Sequence, residues 1–177
     1  GYCYYPTKVG TQHPGMEQGR DLAGEMMDAC HEIGVRAPLY LTVGFSALDA
    51  QEHPEWIIRN RDGSFSGVNY DFEALDDMPK PYCSWANLCT AGGYRDYLYR
   101  LTEEVCQRYK DLDGLFYDIV FVTDYCYCDD CIRGMKEMGL NPETEADAKE
   151  YYQVQKKKTL DGIREIFFRY HPYGSMF

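Results

Sequence analysis

The chain lacks most of the signatures by which a sequence declares its chemistry. No stretch approaches the roughly 20 consecutive apolar residues of a membrane-spanning helix. No Gly-rich phosphate turn joins a strand to a helix, so nucleotide binding has no support. The histidines, His13, His31, His53 and His171, show no His-Glu-x-x-His spacing, and there is no Gly-x-Ser-x-Gly elbow. Positive charge is scarce. Against 29 Asp and Glu stand 18 Lys and Arg, and the formal charge of −11 argues against a nucleic-acid backbone or an anionic membrane as partner. An initiator Met and a signal peptide are also missing. The chain opens on Gly1-Tyr-Cys-Tyr-Tyr5 and stops on Ser175-Met-Phe177, mid-pattern at both ends, and reads as a fragment of a longer protein. Its N-terminus therefore carries no information on localisation.

What is present is ordinary in bulk and unusual in detail. At 177 residues, with 45% hydrophobic and 27% charged residues, the chain can bury one real core. Its 17 tyrosines suit either sugar rings or a Tyr-rich core, the commoner use. Eight cysteines occupy positions 3, 30, 83, 89, 106, 126, 128 and 131. Cys30 and Cys106 fall on apolar helix faces, where a thiol acts as a small hydrophobe. Cys126-x-Cys128-x-x-Cys131 suits a metal better than neighbouring disulfides, whose geometry is demanding at such spacing. A reducing compartment, the cytoplasm, is favoured.

Residues 1–20 read as loop. A helix follows, capped by Asp21 and marked by Leu22, Met26, Ala29, Cys30 and Ile33. Gly34 stops it, and residues 35–43 read as a strand in which Pro38 is uncomfortable. Residues 44–93 show no sustained period and hold turn signals at Arg61-Asp-Gly63 and Asp76-Asp-Met-Pro79. Tyr94, Tyr97, Leu98, Leu101 and Val105 predict a second helix, and residues 114–121 a second strand. A short helix near 129–138 and a long one over about 144–170 complete the pattern. This βα alternation implies a parallel sheet. Two strands cannot close a barrel of about eight. Residues 1–177 are thus expected to be part of a single α/β domain, a partial TIM (β/α)8 barrel with strands missing on both sides. An open doubly wound sheet is the alternative.

Two features carry candidate chemistry. Along Gly114 to Phe121, alternation puts Leu115, Tyr117, Ile119 and Phe121 on one side and Phe116, Asp118 and Val120 on the other. Asp118, an acid in an apolar strand, would then point into a barrel mouth; a buried structural Asp is the equal alternative. The three clustered cysteines are one short of a tetrahedral zinc site. Cys89, before the second helix, can supply the fourth ligand, with Cys83 in reserve. Reactive thiols or a Cys126–Cys131 disulfide compete with that reading. Trp56 either stacks on a sugar or anchors the long loop, and Tyr4, Tyr5 and Lys8 could line the same mouth. His31 reads as a helix C-terminal cap, and Lys156-Lys-Lys158 as a solvated helix face.

These residues together resemble the family named hypothetical glycosyl hydrolase 6. The likeness lies in Gly1-Tyr-Cys-Tyr-Tyr-Pro-Thr-Lys-Val-Gly10, His13-Pro-Gly15, Asp21-Leu-Ala-Gly-Glu25, His53-Pro-Glu-Trp56, the Cys89 to Leu98 segment, Asp113-Gly-Leu-Phe-Tyr-Asp118 and the cysteine trio. That family is similar to the α-L-fucosidases of family 29 and the β-galactosidases of family 42. The resemblance implies a retaining exo-glycosidase acting on carbohydrate, or a barrel that binds sugar without cleaving it. It implies a structural zinc on Cys89, Cys126, Cys128 and Cys131, as in family 42. Asp118 matches the fucosidase nucleophile slot. The Asn-Glu pair of family 42 is absent, since Ile119 and Val120 follow. The second carboxylate is expected beyond Phe177, with Asp124 the nearest substitute. Any homo-oligomer would form through regions outside this chain.

Overall fold

A computed structural model describes residues 1–68 and 85–177. Cys83 and the Asp76–Pro79 turn lie outside the described residues. The main sheet has three strands in the order β3-β6-β7: β3 (Leu39–Thr42), β6 (Gly114–Asp118) and β7 (Ser175–Met176). β3 is shorter than the predicted 35–43 and begins only after Pro38, which has no N–H to give a ladder. β6 ends at Asp118 rather than Phe121, because Ile119 leaves β space with φ +47°. β7 escaped the sequence reading, since two residues carry no alternation signal. It pairs in parallel with β6, Gly114 opposite Ser175 and Leu115 opposite Met176. Tyr117 N–H donates to Phe177 O at 3.0 Å and extends the pairing.

The predicted helices appear as α1 (Leu22–Glu32), α3 (Gly93–Arg108), α4 (Asp129–Glu137) and α5 (Glu145–Tyr170). Asp21 caps α1 by accepting from Gly24 N–H at 2.9 Å. The region without a period holds α2 (Ala47–Glu52), a 3₁₀ turn at Pro54–Trp56, and an antiparallel pair, β4 (Gly67–Val68) with β5 (Trp85–Ala86). The opening loop contains a short parallel pair, β1 (Tyr2–Cys3) with β2 (Thr11–Gln12).

The chain divides into two compact units. The first comprises residues 1–41, 97–118 and 161–177 and carries the three-stranded sheet. On its covered side Leu115 and Tyr117 are buried, and Tyr117 Oη lies 2.9 Å from Thr102 Oγ1 of α3. Phe116, 40% exposed, and the half-buried Asp118 occupy the opposite side, as the alternation requires. His31 Nε2 meets Asp113 Oδ2 at 2.7 Å, so the side chain near the end of α1 is engaged by the residue before β6.

The second unit comprises residues 42–96 and 119–160. Its core groups Ile58, Met135, Ala148, Tyr151 and Tyr152 around Cys89, Cys126, Cys128 and Cys131. Gly134 of α4 lies against the Tyr151 hydroxyl group of α5, a closeness that only an absent Cβ permits. Lys156 corrects the expectation of a solvated lysine face. It is 8% exposed, donates to Asp124 Oδ1 at 2.9 Å, and sits over the rings of Phe121 and Tyr152. Helical period turns Lys156 inward with Tyr152 and Thr159, while Lys157 and Lys158 stay exposed.

Candidate functional site: a four-cysteine cluster and a strand-end acid

Cys89 sits in the segment before α3, where its N–H donates to Trp56 O at 2.8 Å. Cys128 forms the N-cap of α4, and Cys131 lies in that helix's first turn. These placements bring one sulfur from each of Cys89, Cys126, Cys128 and Cys131 within 4.8 Å of the others, all four buried. Cys89 and Cys131 Sγ are 3.5 Å apart, Cys89 and Cys128 3.8 Å. Among the described residues no cysteine is in a disulfide.

Backbone amides point at these sulfurs. Ala91 N–H donates to Cys89 Sγ and Cys128 N–H to Cys126 Sγ, both at 3.4 Å. Such donors favour thiolates, as does the N-terminus of α4. Hydrogen bonds from Cys126, Cys131 and Cys89 hold the Cys128 thiol far down, so one thiolate forms readily. Hydrogen bonds with Cys126, Cys128 and Cys89, and then burial, push the Cys131 thiol far up. A first negative charge is thus welcomed and further ones opposed. Four thiolates together need a cation, and this donor set could hold a metal ion. Tetrathiolate chemistry suits a tetrahedral soft or borderline ion and leaves no open position.

Asp118 ends the central strand, and Tyr40 Oη donates to its Oδ2 at 3.3 Å. The Tyr40 and Phe116 rings pack 5.7 Å apart on the same side. The residue that follows, Ile119, holds a left-handed backbone that β-branched residues rarely adopt. In the second unit the Ile119 carbonyl oxygen presses on Gly44, where any Cβ would collide with it. Asp124, the substitute second carboxylate, is taken up by Lys156; that hydrogen bond, then its charge, holds the carboxyl below the usual range.

The remaining candidates divide. Tyr4 is exposed and stacks on His13 at 5.4 Å. Lys8 is exposed, while its backbone N–H donates to Glu104 Oε1 at 2.5 Å. Tyr5 is only 5% exposed and donates to Glu104 Oε2 at 3.0 Å, joined there by the Thr7 hydroxyl at 2.6 Å. Tyr5 therefore holds the loop rather than presenting a ring. Trp56 stacks on His53 at 3.9 Å and packs on Tyr94 at 5.5 Å, which favours its anchoring role. Sequence reasoning missed Glu104, Lys156 and Gly44. Only Gly44 offered a signal, as a glycine at a strand end marks close backbone approach.

The arrangement is that of an α/β chain with helices, parallel strands and an acid at the end of a central strand. It is similar to a solved structure described as α-L-fucosidase isoenzyme 2 from Paenibacillus thiaminolyticus, with a TM-score of 0.83 and 30% identity over 100% of this chain. The match covers 25% of that protein, so the chain spans a quarter of its length. The family described as hypothetical glycosyl hydrolase 6 matches residues 1–119, and the chain belongs to it. No protein with a curated description matches.

Proposed function

We propose that the chain is part of a (β/α)8 barrel of a retaining exo-glycosidase, of the α-L-fucosidase or β-galactosidase type. Asp118 would act as its nucleophile or acid. The position of Asp118 carries this reading. It closes the central strand, opposite the side that Leu115 and Tyr117 bury, in a chain of a glycosyl hydrolase family. Barrel enzymes hold their chemistry at such strand ends. As nucleophile, the Asp118 carboxylate attacks the anomeric carbon while an acid protonates the departing oxygen; water then cleaves the glycosyl ester. The partner carboxylate, needed at about 5–5.5 Å, is not assigned to a described residue. Tyr4 and Lys8 would contact sugar, with Tyr5 and Trp56 holding their loops. The substrate is carbohydrate, with no role for nucleic acid or membrane.

We also assign a structural zinc to Cys89, Cys126, Cys128 and Cys131. A tetrahedron with Zn–S bonds of ~2.3 Å has S···S edges of about 3.8 Å. The observed separations of 3.5 and 3.8 Å support that assignment. The ion would supply charge neutralisation and rigidity, and no chemistry on substrate.

The deciding assay compares wild type with Asp118→Asn on chromogenic α-L-fucosides and β-galactosides. The variant should lose turnover by at least ~10³-fold while still binding sugar. Equal turnover would overturn the assignment. Sugar binding without turnover by wild type would favour a non-hydrolytic carbohydrate-binding barrel.

A further inference from the structure

We propose that Lys156 is the counter-charge of the four-cysteine cluster, a buried ammonium that favours the ion-loaded tetrathiolate over the ion-free thiols. It lies outside the ligand set, and its role rests on the zinc assignment above. Every residue involved belongs to the second unit.

Helix register places the ammonium. On α5, Tyr152, Lys156 and Thr159 are spaced by four and three residues, so they share one face, and all three are buried. Both flanking residues reach the cluster. Tyr152, 1% exposed, packs in the core that holds Cys89, Cys126, Cys128 and Cys131. Thr159 Oγ1 donates to the carbonyl oxygen of Thr90, the residue after Cys89, at 3.3 Å. Between them, Lys156 Nζ lies 5.4 Å from the centre of the Tyr152 ring and 5.3 Å from that of Phe121. The ammonium and the thiols therefore share Tyr152 as a neighbour.

The ion pair with Asp124 is too weak a reason for this burial. Burying an ammonium is costly unless opposite charge accompanies it. Lys156 Nζ donates to Asp124 Oδ1 at 2.9 Å, but the Asp124 side chain is 66% exposed against 10% for that of Lys156. A carboxylate so open to water returns little, and the two rings add a modest attraction. The cluster supplies the rest. Four thiolates around a divalent ion carry two net negative charges in a buried core. The amides of Ala91 and Cys128 bring only partial charges to these sulfurs. A whole positive charge nearby, in surroundings less polar than water, stabilises that state more than it does neutral thiols. Lys157 and Lys158 are exposed, so water and salt screen them.

The zinc affinity of the whole protein, measured by competition with a chromophoric chelator, tests this. Lys156→Met should weaken binding about tenfold. Lys156→Arg, which keeps the charge, should stay within about threefold of wild type. So should Lys157→Met, which changes the net charge equally but at an exposed position. Asp124→Asn separates charge from tethering. It frees the segment leading to Cys126 but leaves the ammonium, so affinity should not fall. An affinity as low as that of Lys156→Met would overturn the proposal and make Lys156 a loop clamp. The zinc-free proteins give an independent readout. Without the ion, burial of the ammonium loses its compensation, so Lys156→Met should melt no lower than wild type. A lower melting point, or failure to fold where wild type folds, overturns the counter-charge. The zinc assignment fails on a different result. No zinc in wild type removes both readings, whereas zinc held equally by wild type and Lys156→Met removes the role of Lys156 alone.

Discussion

The cysteine cluster and the end of β6 are eight residues apart in sequence and differ in almost every physical respect. The cluster is buried, crowded with like groups and supplied with backbone donors. Asp118 is half-buried at the edge of a partly exposed aromatic side, with Tyr40 donating to it. A cation would satisfy the first site and close it. Asp118 keeps part of its surface toward solvent, as a reacting group would need. The contrast separates a feature that holds the molecule from one that could work on a substrate, although both look equally odd in sequence.

The comparison breaks most easily at the cluster. Purified protein should carry about one zinc per chain by elemental analysis. Cys131→Ser, or zinc withdrawn by a strong chelator, should lower Tm by at least ~10 °C, because apposed buried thiolates lose their counter-charge. Asp118→Asn should leave Tm within about 2 °C, since it exchanges one half-buried polar group for another. Equal losses in both would mean that Asp118 is structural too.

Next in size is the contact between Gly44 and Ile119. Gly44→Ala drives a Cβ into the Ile119 carbonyl and should cost about 3 kcal/mol or more by urea unfolding. Ile119→Gly should fall within about 1 kcal/mol of zero. There, relief of a left-handed β-branched residue offsets the lost contacts and the added chain freedom. A loss of more than about 2 kcal/mol in Ile119→Gly would show that its side chain matters more than its backbone.

How much of this was legible depended on local density of signal. The cysteine trio could be read because rare residue types recur at short spacing, and Cys89, which the structure brings to the trio, was a candidate by its place just before the second helix. α1 could be read because Asp21 and the apolar period agree with each other. β6 was legible as a strand, but its end was not: the apolar run continues to Phe121 while the backbone turns at Ile119. β7 and β5 are two residues long, too short for any period to register. Lys156 was hidden in a run of three lysines whose inward member only the helix register reveals. Glu104, which holds Tyr5, Thr7 and the Lys8 amide, looks in sequence like any acid on a helix.

Each unit also has a glycine that the usual substitution rule gets wrong. In an exposed helix interior, Gly→Ala stabilises by about 1 kcal/mol. Here Gly134 faces the Tyr151 hydroxyl in the second unit, and Gly162 faces that of Tyr99 in the first. Both Gly→Ala variants should instead destabilise, by about 1–3 kcal/mol, through displacement of a tyrosine ring. The Gly134 variant should also loosen the proposed zinc, since Tyr151 packs in the cysteine core. Faster zinc release to a colorimetric chelator in that variant alone would sharpen the division between the units.

The smallest expected effect concerns pH and the first unit. Burial opposes charge on Asp21, but the Tyr109 hydroxyl, the Gly24 amide and Arg108 outweigh it and hold the carboxyl below the usual range. Burial likewise opposes Asp113, and the Ala37 amide and His31 hold it down. A carboxyl lowered on folding contributes stability that is fully present above its unfolded pKa, near ~3.9, and lost as pH falls through the lower folded value. The first unit should therefore weaken on the acid side of about pH 4. Asp21→Asn should lower Tm at pH 7 and flatten that acid limb, because the group whose protonation drives it is gone. The four-cysteine cluster would lose its ion in acid for a different reason, as protons compete for thiolates. Zinc release measured beside Tm across the acid range separates the two. An acid limb equally steep in Asp21→Asn, running parallel to metal loss, would assign it to the cluster and leave the carboxylates of the first unit without a measurable part.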